Sequence, residues 1–446
     1  MKYLSKITNI YLIFFFLIFF TNSLSLRAES PKFPFLVTPI TSSPVSLALG
    51  GASIANNNDP SAAIFNPANI VLFSNPQWTI STYNSVKKEI AEINDDHYSV
   101  SGTQNVKSFH IGYCGLSFPF KILSKKMVAG ISYHPGFSFE RSLTLNQNDD
   151  QEMTDQRIWS LKQSGYMSAL SLSYGIEVSN SFYLGMNLNF WRDDVLDNQW
   201  KQDISMRGYR QNGNVRFEEF QKTSVSFDDK GTNLDFGILW KISSKLIAGA
   251  VIQTNRSNDI TTKSSEKYIF ENTAVDPAFN PADSIISLND IQIPMTIGMG
   301  MSYFINENWN LLLDFRQIFW EQFKYTTDDE SSRQFISGRE EDTEKDLRVH
   351  IINFGTIYRL KTRSIKAFDL IFRMGFSACT DRGIVHPEPD SSVGFGFGLE
   401  GKKMDLNFGY QYQRYTNQEQ LILSESELKN SIRINVMEAS LTYKFY

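Results

Sequence analysis

Side chains that could support catalysis are few and scattered in this 446-residue sequence. The five histidines show no metal-ligand spacing, and none accompanies a nucleophile motif. They are His97, His110, His134, His350 and His386. The sequence therefore predicts no catalytic residue, no bound metal and no cofactor, and we do not expect an enzyme.

Paired acidic residues are a second candidate for chemistry, because carboxylate oxygens are ligands for divalent cations. All of the pairs fall in or at the edge of segments that we predict as loops, and none shows a spacing such as that of an EF-hand. A solvated rim is the simpler interpretation. The pairs are Asp95–Asp96, Asp149–Asp150, Asp193–Asp194, Asp228–Asp229 and Asp328–Asp329.

A third candidate is the glycine-rich stretch from Gly394 to Gly398, which superficially resembles a phosphate-binding loop. Its spacing is strictly two and no helical pattern follows it, so we do not expect nucleotide binding. Gly298 and Gly300 alternate in the same way in an earlier segment. Small residues on one face of a strand leave room beside them for a plug or for a ligand.

The elements that carry these residues are β-strands, because the dominant period from Gln77 to Tyr446 is two. Leu234, Phe236 and Ile238, for example, share one face of a segment. About fourteen such segments can be counted, and many reach the ~9–11 residues that a tilted membrane strand needs. Their approximate spans are 77–88, 107–120, 126–139, 164–178, 181–192, 231–242, 245–258, 291–305, 308–325, 347–361, 367–379, 393–402, 404–415 and 432–446.

The connections between these strands alternate in length. The odd ones are long and include 193–230 and 259–290, whereas the even ones are short, as at Ser179–Asn180, Ser243–Ser244 and Asn306–Glu307. Long loops on one rim and tight turns on the other are typical of outer-membrane barrels. We therefore expect long extracellular loops, both termini in the periplasm and an aromatic C-terminal strand that ends at the membrane interface.

The first 28 residues have the pattern of a signal peptide. Lys2 and Lys6 precede the apolar run Ile10–Phe20, which is shorter than the ~20 residues that a membrane-spanning helix needs. We expect cleavage after Ala28, and cleavage after Ser23 is the alternative.

Composition limits the partners of the mature chain. Loss of residues 1–28 removes Lys2, Lys6 and Arg27, which changes the formal net charge from −5 to −8 and disfavours nucleic acid as a partner. Mean hydropathy is −0.27 and aromatic residues make up 14% of the chain, which fits both a membrane barrel and a soluble all-β protein. We expect Cys114 and Cys379 to be unpaired, because the strand count places them on non-adjacent strands.

The stretch from Gly50 to Asn69 lacks the alternation of a strand. It is rich in small residues and turn formers, and it keeps apolar anchors at Ile54 and Phe65. Such a segment can pack as a compact plug but makes a poor membrane wall. We therefore predict a plug, or hatch, over residues 29–76 and a barrel over residues 77–446.

Three motifs of this stretch resemble the N-terminal series of the FadL/TodX family of outer-membrane transporters for hydrophobic compounds. They are Leu49-Gly-Gly-Ala-Ser-Ile-Ala, Asp59-Pro-Ser-Ala-Ala and Phe65-Asn-Pro-Ala. Weaker similarity extends over nearly the whole mature chain. The resemblance implies an all-β fold, a transmembrane antiparallel β-barrel of about 14 strands with an N-terminal hatch in its lumen. Asn69 departs from the family, which usually has glycine after Asn-Pro-Ala.

The resemblance also implies that the hatch controls passage, so the residues of its motifs are the candidate gating residues. They are Gly50, Gly51, Asp59, Phe65, Asn66, Pro67 and Ala68.

A kink in the third strand is a further feature of the family, and ligands leave sideways through it. Pro135 and Gly136 interrupt the predicted third strand here, since proline has no N–H and glycine weakens a strand. They are the candidate lateral opening. The alternative is that Pro135 lies where the strand leaves the bilayer.

The predicted third and fourth outer loops carry dense apolar side chains, and family members catch their ligands between such loops. Exposed apolar clusters normally bind or cover something. The alternative is that these side chains pack on one another and close the top of the barrel. The candidate capture residues are Leu196, Trp200, Phe217, Phe220, Phe270 and Phe279.

The sequence as a whole favours a passive channel of the bacterial outer membrane for hydrophobic small molecules, either fatty acids or aromatic hydrocarbons. We expect a monomer that contacts membrane lipid and lipopolysaccharide. The alternative is a barrel of the same shape with another role, such as an accessory to secretion or a structural porin. A lipid-hydrolysing enzyme is disfavoured, because no serine is predicted level with His350 on a neighbouring strand.

Overall fold

Fourteen antiparallel strands build the wall of the protein, as seen in a computed structural model that describes residues 38–55, 59–94, 98–149, 154–196, 198–212, 215–272, 275–281, 285–327, 333–334, 348–361, 368–379, 388–420 and 427–445. In chain order they are β1 Gln77–Asn94, β2 Tyr98–Ile122, β3 Lys125–Ser138, β4 Thr154–Ser179, β5 Phe182–Arg192, β6 Val215–Lys241, β7 Leu246–Gln253, β8 Thr296–Phe304, β9 Trp309–Phe319, β10 Arg348–Leu360, β11 Phe368–Cys379, β12 Ser391–Gly401, β13 Met404–Gln420 and β14 Glu427–Lys444. Each pairs with its neighbours in sequence, and β14 pairs with β1 from Gln77↔Lys444 onwards, so the sheet closes into a barrel.

The predicted strand number and antiparallel order are confirmed. Each predicted span overlaps one of the fourteen strands, and the short turns occur where they were expected, at 180–181, 243–245 and 305–308. Cys114 and Cys379 form no disulfide bond with each other, as expected. The alternation of apolar and small or polar residues was therefore a sufficient signal for the wall.

The two faces of the wall differ in polarity. On β12, Phe395 and Phe397 point outward and remain 47% and 49% exposed, whereas Gly394 and Gly396 point inward. Phe236 and Phe376 are exposed on the outer face in the same way. An apolar outer face on a closed sheet is the arrangement that lipid requires, so this is a transmembrane barrel. In the part of the chain that the structure describes, no helix is long and apolar enough to cross a bilayer.

The long odd connections differ from the prediction, because they are largely further strands and not loops. β4 has 26 residues and β6 has 27, well beyond the ~9–11 that a membrane requires. Strand Gln199–Asn212 pairs with both extensions, which satisfies their backbone hydrogen bonds outside the lipid. The other elements of this region are Arg141–Asp149, α-helix Asp193–Leu196, Arg256–Asn272, Val275–Pro281, Ile285–Ile293, 3₁₀-helix Trp320–Gln322, Lys324–Thr327 and Arg333–Gln334.

The described part of the hatch, residues 38–55 and 59–76, contains short elements only. They are strand Thr38–Pro39, helix α1 Pro44–Ala48, helix α2 Ala62–Phe65 and 3₁₀-helix Pro67–Leu72. Most of these residues are buried. None of these elements has enough length to stand alone, so their conformation depends on the wall around them.

Inward-facing glycines form the surface on which the hatch rests. A methyl group added at Gly375 would lie 1.9 Å from the Leu49 carbonyl carbon, and one at Gly185 would lie 2.2 Å from the Pro67 carbonyl carbon. The backbones of hatch and wall therefore touch directly, which any larger residue would prevent. The inward glycines in contact with the hatch are Gly175, Gly185, Gly237, Gly249, Gly298, Gly300, Gly355, Gly375, Gly394, Gly396 and Gly409.

Gly375→Leu is predicted to displace the hatch while the barrel remains folded, because the new side chain would occupy the place of the Leu49 backbone. We expect higher ion conductance in planar bilayers and faster proteolysis within residues 38–73. Met374→Leu, on the outward face of the same strand, is the matched control. Wild-type conductance and wild-type protease resistance in a folded Gly375→Leu barrel would contradict the prediction.

Candidate functional site

Asp314 on β9 holds the hatch to the wall. Its Oδ2 accepts hydrogen bonds from the backbone N–H groups of Ser53 at 2.6 Å and Ile54 at 2.9 Å. The carboxylate is only 1% exposed. Both donors are backbone N–H groups of the hatch, so this contact anchors the hatch to the wall.

Asn66 makes the second polar link. Its Nδ2 donates to the Ile54 carbonyl at 2.9 Å and to the Ile238 carbonyl on β6 at 3.0 Å, and its Oδ1 caps the following 3₁₀-helix at the Ala68 N–H. Asn69, where a glycine was expected from the resemblance, donates from Nδ2 to the Ser53 carbonyl at 3.1 Å. The amide side chain therefore has a structural role that glycine could not fill.

The remaining gating candidates lie in the same interface. Gly50 and Gly51 have φ of +64° and +91°, a region that favours glycine, and Gly50 packs against the backbone of Phe376 on β11. Asp59 is buried and accepts hydrogen bonds from the hydroxyl groups of Ser43 and Ser61. Pro67 and Ala68 pack on Gly185, and Phe65 lies at the surface of the hatch.

A cavity of about 220 Å³ lies on the side of the hatch that faces the extended strands. The hatch contributes Ile54, Ile64 and Phe65, among other residues, to its lining. The wall contributes aromatic and aliphatic side chains together with a smaller set of polar ones. The main wall residues are His134, Pro135, Gly136, Phe137, Trp191, Asp235, Arg256, Arg316, Ile318 and Trp320. We refer to this space as the upper cavity.

A second space, the lower pocket, lies on the side of the tight turns and measures about 90 Å³. Its lining is strongly charged. Arg359 pairs with Glu400 at 2.6 Å, and Lys444 pairs with Asp405 at 2.7 Å. The hatch therefore divides the lumen into two compartments, and charged residues make up a larger share of the lining of the lower one.

The β3–β4 ladder has a bulge at the predicted interruption. Pro135 pairs with Ser168 and Phe137 with Met167, so Gly136 is an extra residue on β3. A side chain at Gly136 would meet the ring of Trp191, since an added methyl group would lie 2.7 Å from Trp191 Cη2. The sequence thus predicted a real irregularity at this position.

The ladder between β2 and β3 stops at the same level. It runs from Ile122↔Lys125 to Cys114↔Tyr133, and within the described residues β2 has no strand partner on this side from 102 to 113. β2 also bulges against β1, where Ser81 pairs with Tyr113 and Thr82 with Ile111. We call this interruption, residues 102–113 of β2 opposite residues 134–138 of β3, the wall break.

The first residues of the hatch occupy part of the wall break. Thr38–Pro39 pairs with Phe137–Ser138 of β3, the Ile40 N–H donates to the Gly136 carbonyl at 2.9 Å, and Ser42 Oγ donates to the Pro135 carbonyl at 2.8 Å. The hatch therefore supplies hydrogen bonds that β2 would make in an uninterrupted barrel.

A buried ion pair closes the far end of the wall break. Arg141 donates from Nη2 to Glu89 Oε1 at 2.6 Å, and both side chains are nearly inaccessible, at 2% and 3%. Lys87 lies on β1 with Glu89, and its Nζ donates a hydrogen bond to the Glu140 carbonyl at 2.8 Å. These contacts tie β1 to the segment beyond β3, behind the unpaired part of β2.

The described side chains among the predicted capture residues lie in different surroundings. Trp200 is only 2% exposed and stacks on Phe139 at 4.5 Å, so it belongs to the packed interior. Leu196 ends the helix Asp193–Leu196, and Phe220 lies 5.7 Å from the Arg207 guanidinium. The side chains of Phe217, Phe270 and Phe279 lie outside the described residues.

Sequence reasoning missed three features of the candidate site, namely Asp314, the polar lining of the upper cavity and the Glu89–Arg141 pair. Each depends on contacts between distant parts of the chain. The only local signal was a charged residue at an inward position of a strand, where the pleat predicts a lumen-facing side chain.

Several solved structures are similar to this chain in fold, and they include two toluene transporters. The toluene transporter TodX of Pseudomonas putida aligns with 14% identity and a TM-score of 0.58, over 90% of this chain and 98% of its own. A FadL homologue of Pseudomonas aeruginosa aligns with 11% identity and a TM-score of 0.58, over 93% and 100%. The toluene transporter TbuX of Ralstonia pickettii aligns with 14% identity and a TM-score of 0.52, over 90% and 98%. A comparison of the sequence with curated proteins gives no match.

The fold and the site define a transmembrane barrel of the FadL and TodX type, as the sequence motifs predicted. At this level of identity the likeness concerns the fold. The family model of BamG matches residues 41–437, which include most of the hatch and almost the whole wall. The chain belongs to the BamG family.

Asp314→Ala is predicted to loosen the hatch, because it leaves two buried N–H groups without an acceptor, at about 1–3 kcal/mol each. We expect faster amide hydrogen exchange at Ser53 and Ile54 and frequent opening events in single-channel recordings. Asp314→Asn keeps an acceptor oxygen and should have a smaller effect. Asp405→Ala is the control, because it removes an inward carboxylate that is bonded to Lys444 and not to the hatch. Equal exchange rates in all four proteins would refute the anchor.

Proposed function

We propose that the protein is a passive channel of the bacterial outer membrane for hydrophobic small molecules. In this proposal the molecule binds in the upper cavity and leaves sideways through the wall break when the hatch moves. The protein works as a monomer surrounded by lipid and lipopolysaccharide, without enzymatic activity, after removal of residues 1–28. The contacts of the candidate gating residues determine how much free energy this movement of the hatch costs.

The observation that carries the proposal is the position of the upper cavity. Its lining includes Ile54, Ile64 and Phe65 from the hatch and also Pro135 and Gly136 from the wall break. A ligand in the cavity therefore touches both the plug and the one stretch of wall, among the described residues, where neighbouring barrel strands part for 12 positions. In this proposal the binding site in the upper cavity and the exit at the wall break are therefore adjacent.

The lower pocket argues for sideways exit over passage along the barrel axis. A hydrophobic molecule that passed beneath the hatch would meet the ion pairs of Arg359 with Glu400 and of Lys444 with Asp405. Apolar molecules gain nothing from such surroundings, and the charged groups would lose hydration. The lipid outside the wall break is the more favourable destination, since Phe109 and Ile111 on β2 are exposed there.

The likeness to TodX, TbuX and the FadL homologue supports the proposal at the level of ligand class. TodX and TbuX are toluene transporters, and toluene is a hydrophobic small molecule. The shared barrel spans nine-tenths of this chain.

A role other than transport is the second candidate, and the length of the wall favours it. β4 and β6 continue far beyond the membrane as paired strands, which provides a rigid platform for another protein in the outer membrane. Uptake assays separate the two candidates. Cells that lack the protein and still take up labelled toluene and labelled oleate at the rate of the parent strain would favour the platform role.

Removal of the bulge is predicted to slow uptake. Deletion of Gly136 combined with Pro135→Val restores the alternation of β3 and the missing N–H group. We expect uptake of labelled toluene or oleate to fall several-fold, roughly to the level of cells without the protein. Pro119→Val, at a position of β2 that pairs with Val128 of β3 away from the wall break, is the matched control and should not change uptake. Unchanged uptake by a correctly inserted double variant would rule out exit at this place.

A further inference from the structure

Side chains close the middle of the wall break. The hatch occupies one end of the break through residues 38–42. The Glu89–Arg141 pair lies at the other end, together with a hydrogen bond of 2.6 Å from Gln104 Nε2 to Ser142 Oγ. Between these two closures β2 lacks a strand partner on this side, as far as the described residues show. Contacts other than a backbone ladder therefore hold β2 against the rest of the wall at this level.

Tyr166 of β4 contacts β2 across this gap. Its hydroxyl group shares a hydrogen bond with Ser108 Oγ, and its ring lies 4.4 Å from the imidazole ring of His110, measured between the ring centres. Both partners belong to residues 102–113, the β2 side of the wall break. β3 lies between β2 and β4 in the order of the sheet, so this contact bypasses the broken ladder.

Tyr166 lies on the outward face of β4. Side chains alternate along a strand, so Tyr166 shares its face with Leu172, which is exposed. Met167 lies on the opposite, lumen face, where its sulfur atom accepts a hydrogen bond from Arg256 of the upper cavity. Tyr166 itself is half-buried. Another part of the protein therefore covers Tyr166 on the side where lipid contacts Leu172.

β2 provides this cover through its inward face. His110 lies opposite Tyr83 of β1, and the two rings stack at 4.6 Å between their centres. Tyr83 is buried, whereas Phe109, the neighbour of His110 on β2, faces outward and is exposed. The inward face of β2 therefore meets the outward face of β4. The two edges of the wall break overlap, and Tyr166 lies between them.

The backbone of β4 changes its partner immediately before Tyr166. Gly165 pairs with Trp200, outside the barrel wall, whereas Tyr166 pairs with Ser138 of β3. Gly165 has φ of +120°, a region that favours glycine, and a methyl group added to it would lie 2.3 Å from the Gln199 carbonyl oxygen. This irregular backbone fixes the position of Tyr166 at the edge of the break.

We infer that Tyr166 is the gate of the wall break. This inference rests on the proposed function and names the side chain that limits the rate of exit. The space between the overlapping edges is the path from the upper cavity to the lipid, and the Tyr166 ring fills it. Rotation of this side chain opens the path without separating a backbone ladder, at the loss of the hydrogen bond to Ser108 and the ring contact with His110.

A gate and a binding residue differ in what their substitution changes. Tyr166, Ser108 and His110 lie outside the lining of the upper cavity, so they do not contribute to the affinity of a ligand bound there. Loss of the gate contacts raises the fraction of molecules in which the break is open, and the rate of uptake rises with that fraction. The dissociation constant stays unchanged, because the bound ligand keeps all of its contacts.

Uptake and binding measured side by side test the gate. Tyr166→Ala should raise the uptake of labelled toluene by cells about five-fold, while the dissociation constant of toluene for the purified protein stays within about two-fold of wild type. Quenching of tryptophan fluorescence reports this constant, since Trp191 and Trp320 line the upper cavity. Tyr174→Ala, on the outward face of β4 beside an intact ladder, is the matched control and should leave both quantities unchanged.

Two milder variants isolate the hydrogen bond and preserve more of the packing. Tyr166→Phe keeps the ring, Ser108→Ala keeps the contact of Tyr166 with His110, and each removes the same bond. We expect each to raise uptake about two- to three-fold. The double variant should raise it no further than either single variant, because the two residues share one bond. Increases that multiply in the double variant would overturn the role of this bond in the gate.

The outcomes separate this inference from the proposed function. Wild-type uptake by a correctly inserted Tyr166→Ala protein, together with slower uptake after deletion of Gly136 with Pro135→Val, would overturn the gate and leave exit at the wall break standing. Uptake that depends on neither position would overturn transport along with the gate. A dissociation constant that rises in step with uptake would make Tyr166 part of the binding site and would also overturn the gate.

Discussion

Direct backbone contact between hatch and wall is the constraint on which the rest of the structure depends. A side chain larger than hydrogen at Gly375, Gly394 or Gly409 would collide with backbone atoms of Leu49, Leu47 or Pro44. The wall is therefore smooth where the hatch touches it, and the short hatch helices acquire their conformation from that surface. Without these glycines the lumen would be filled by side chains, and neither the hatch nor the upper cavity could exist in its present form.

The position of the hatch explains why the wall can tolerate an interruption. Unpaired backbone groups in a bilayer cost several kcal/mol each, so a membrane barrel normally has no open edge. Here the hatch replaces part of the missing hydrogen bonding to β3, through Thr38–Pro39, Ile40 and Ser42. The plug of the lumen and the seal of the wall are thus parts of one segment, so a displacement of the hatch also changes the wall break.

Sequence reasoning located the elements whose signal is local. The period of two identified all fourteen wall strands because each residue there faces either lipid or the lumen. Pro135 and Gly136 marked the β3 bulge because both residues disturb a ladder by their own chemistry. The extension of β6 escaped prediction because its sequence does not alternate in polarity, as at Lys222, Thr223 and Ser224.

The features that sequence reasoning missed depend on pairs that only the fold brings together. Asp314 is separated from Ser53 by 261 positions, and no pattern around either residue indicates the other. Trp200 looked like an exposed capture residue because its stacking partner, Phe139, belongs to another part of the chain. Burial of a given aromatic side chain is a tertiary property, whereas the alternation that places it on a strand is a local one.

The Glu89–Arg141 pair limits where the wall break can widen. Removal of one partner from a buried ion pair costs about 3–5 kcal/mol, so separation of these two side chains is a costly route to opening. The contacts at the other end, made by Ile40 and Ser42 with β3, are single hydrogen bonds that contribute about 0.5–1.5 kcal/mol each. Movement should therefore begin at the hatch side of the break, next to Pro135, Gly136 and the upper cavity. In the proposed transport, a ligand that presses on Phe65 would act on the weaker of the two closures.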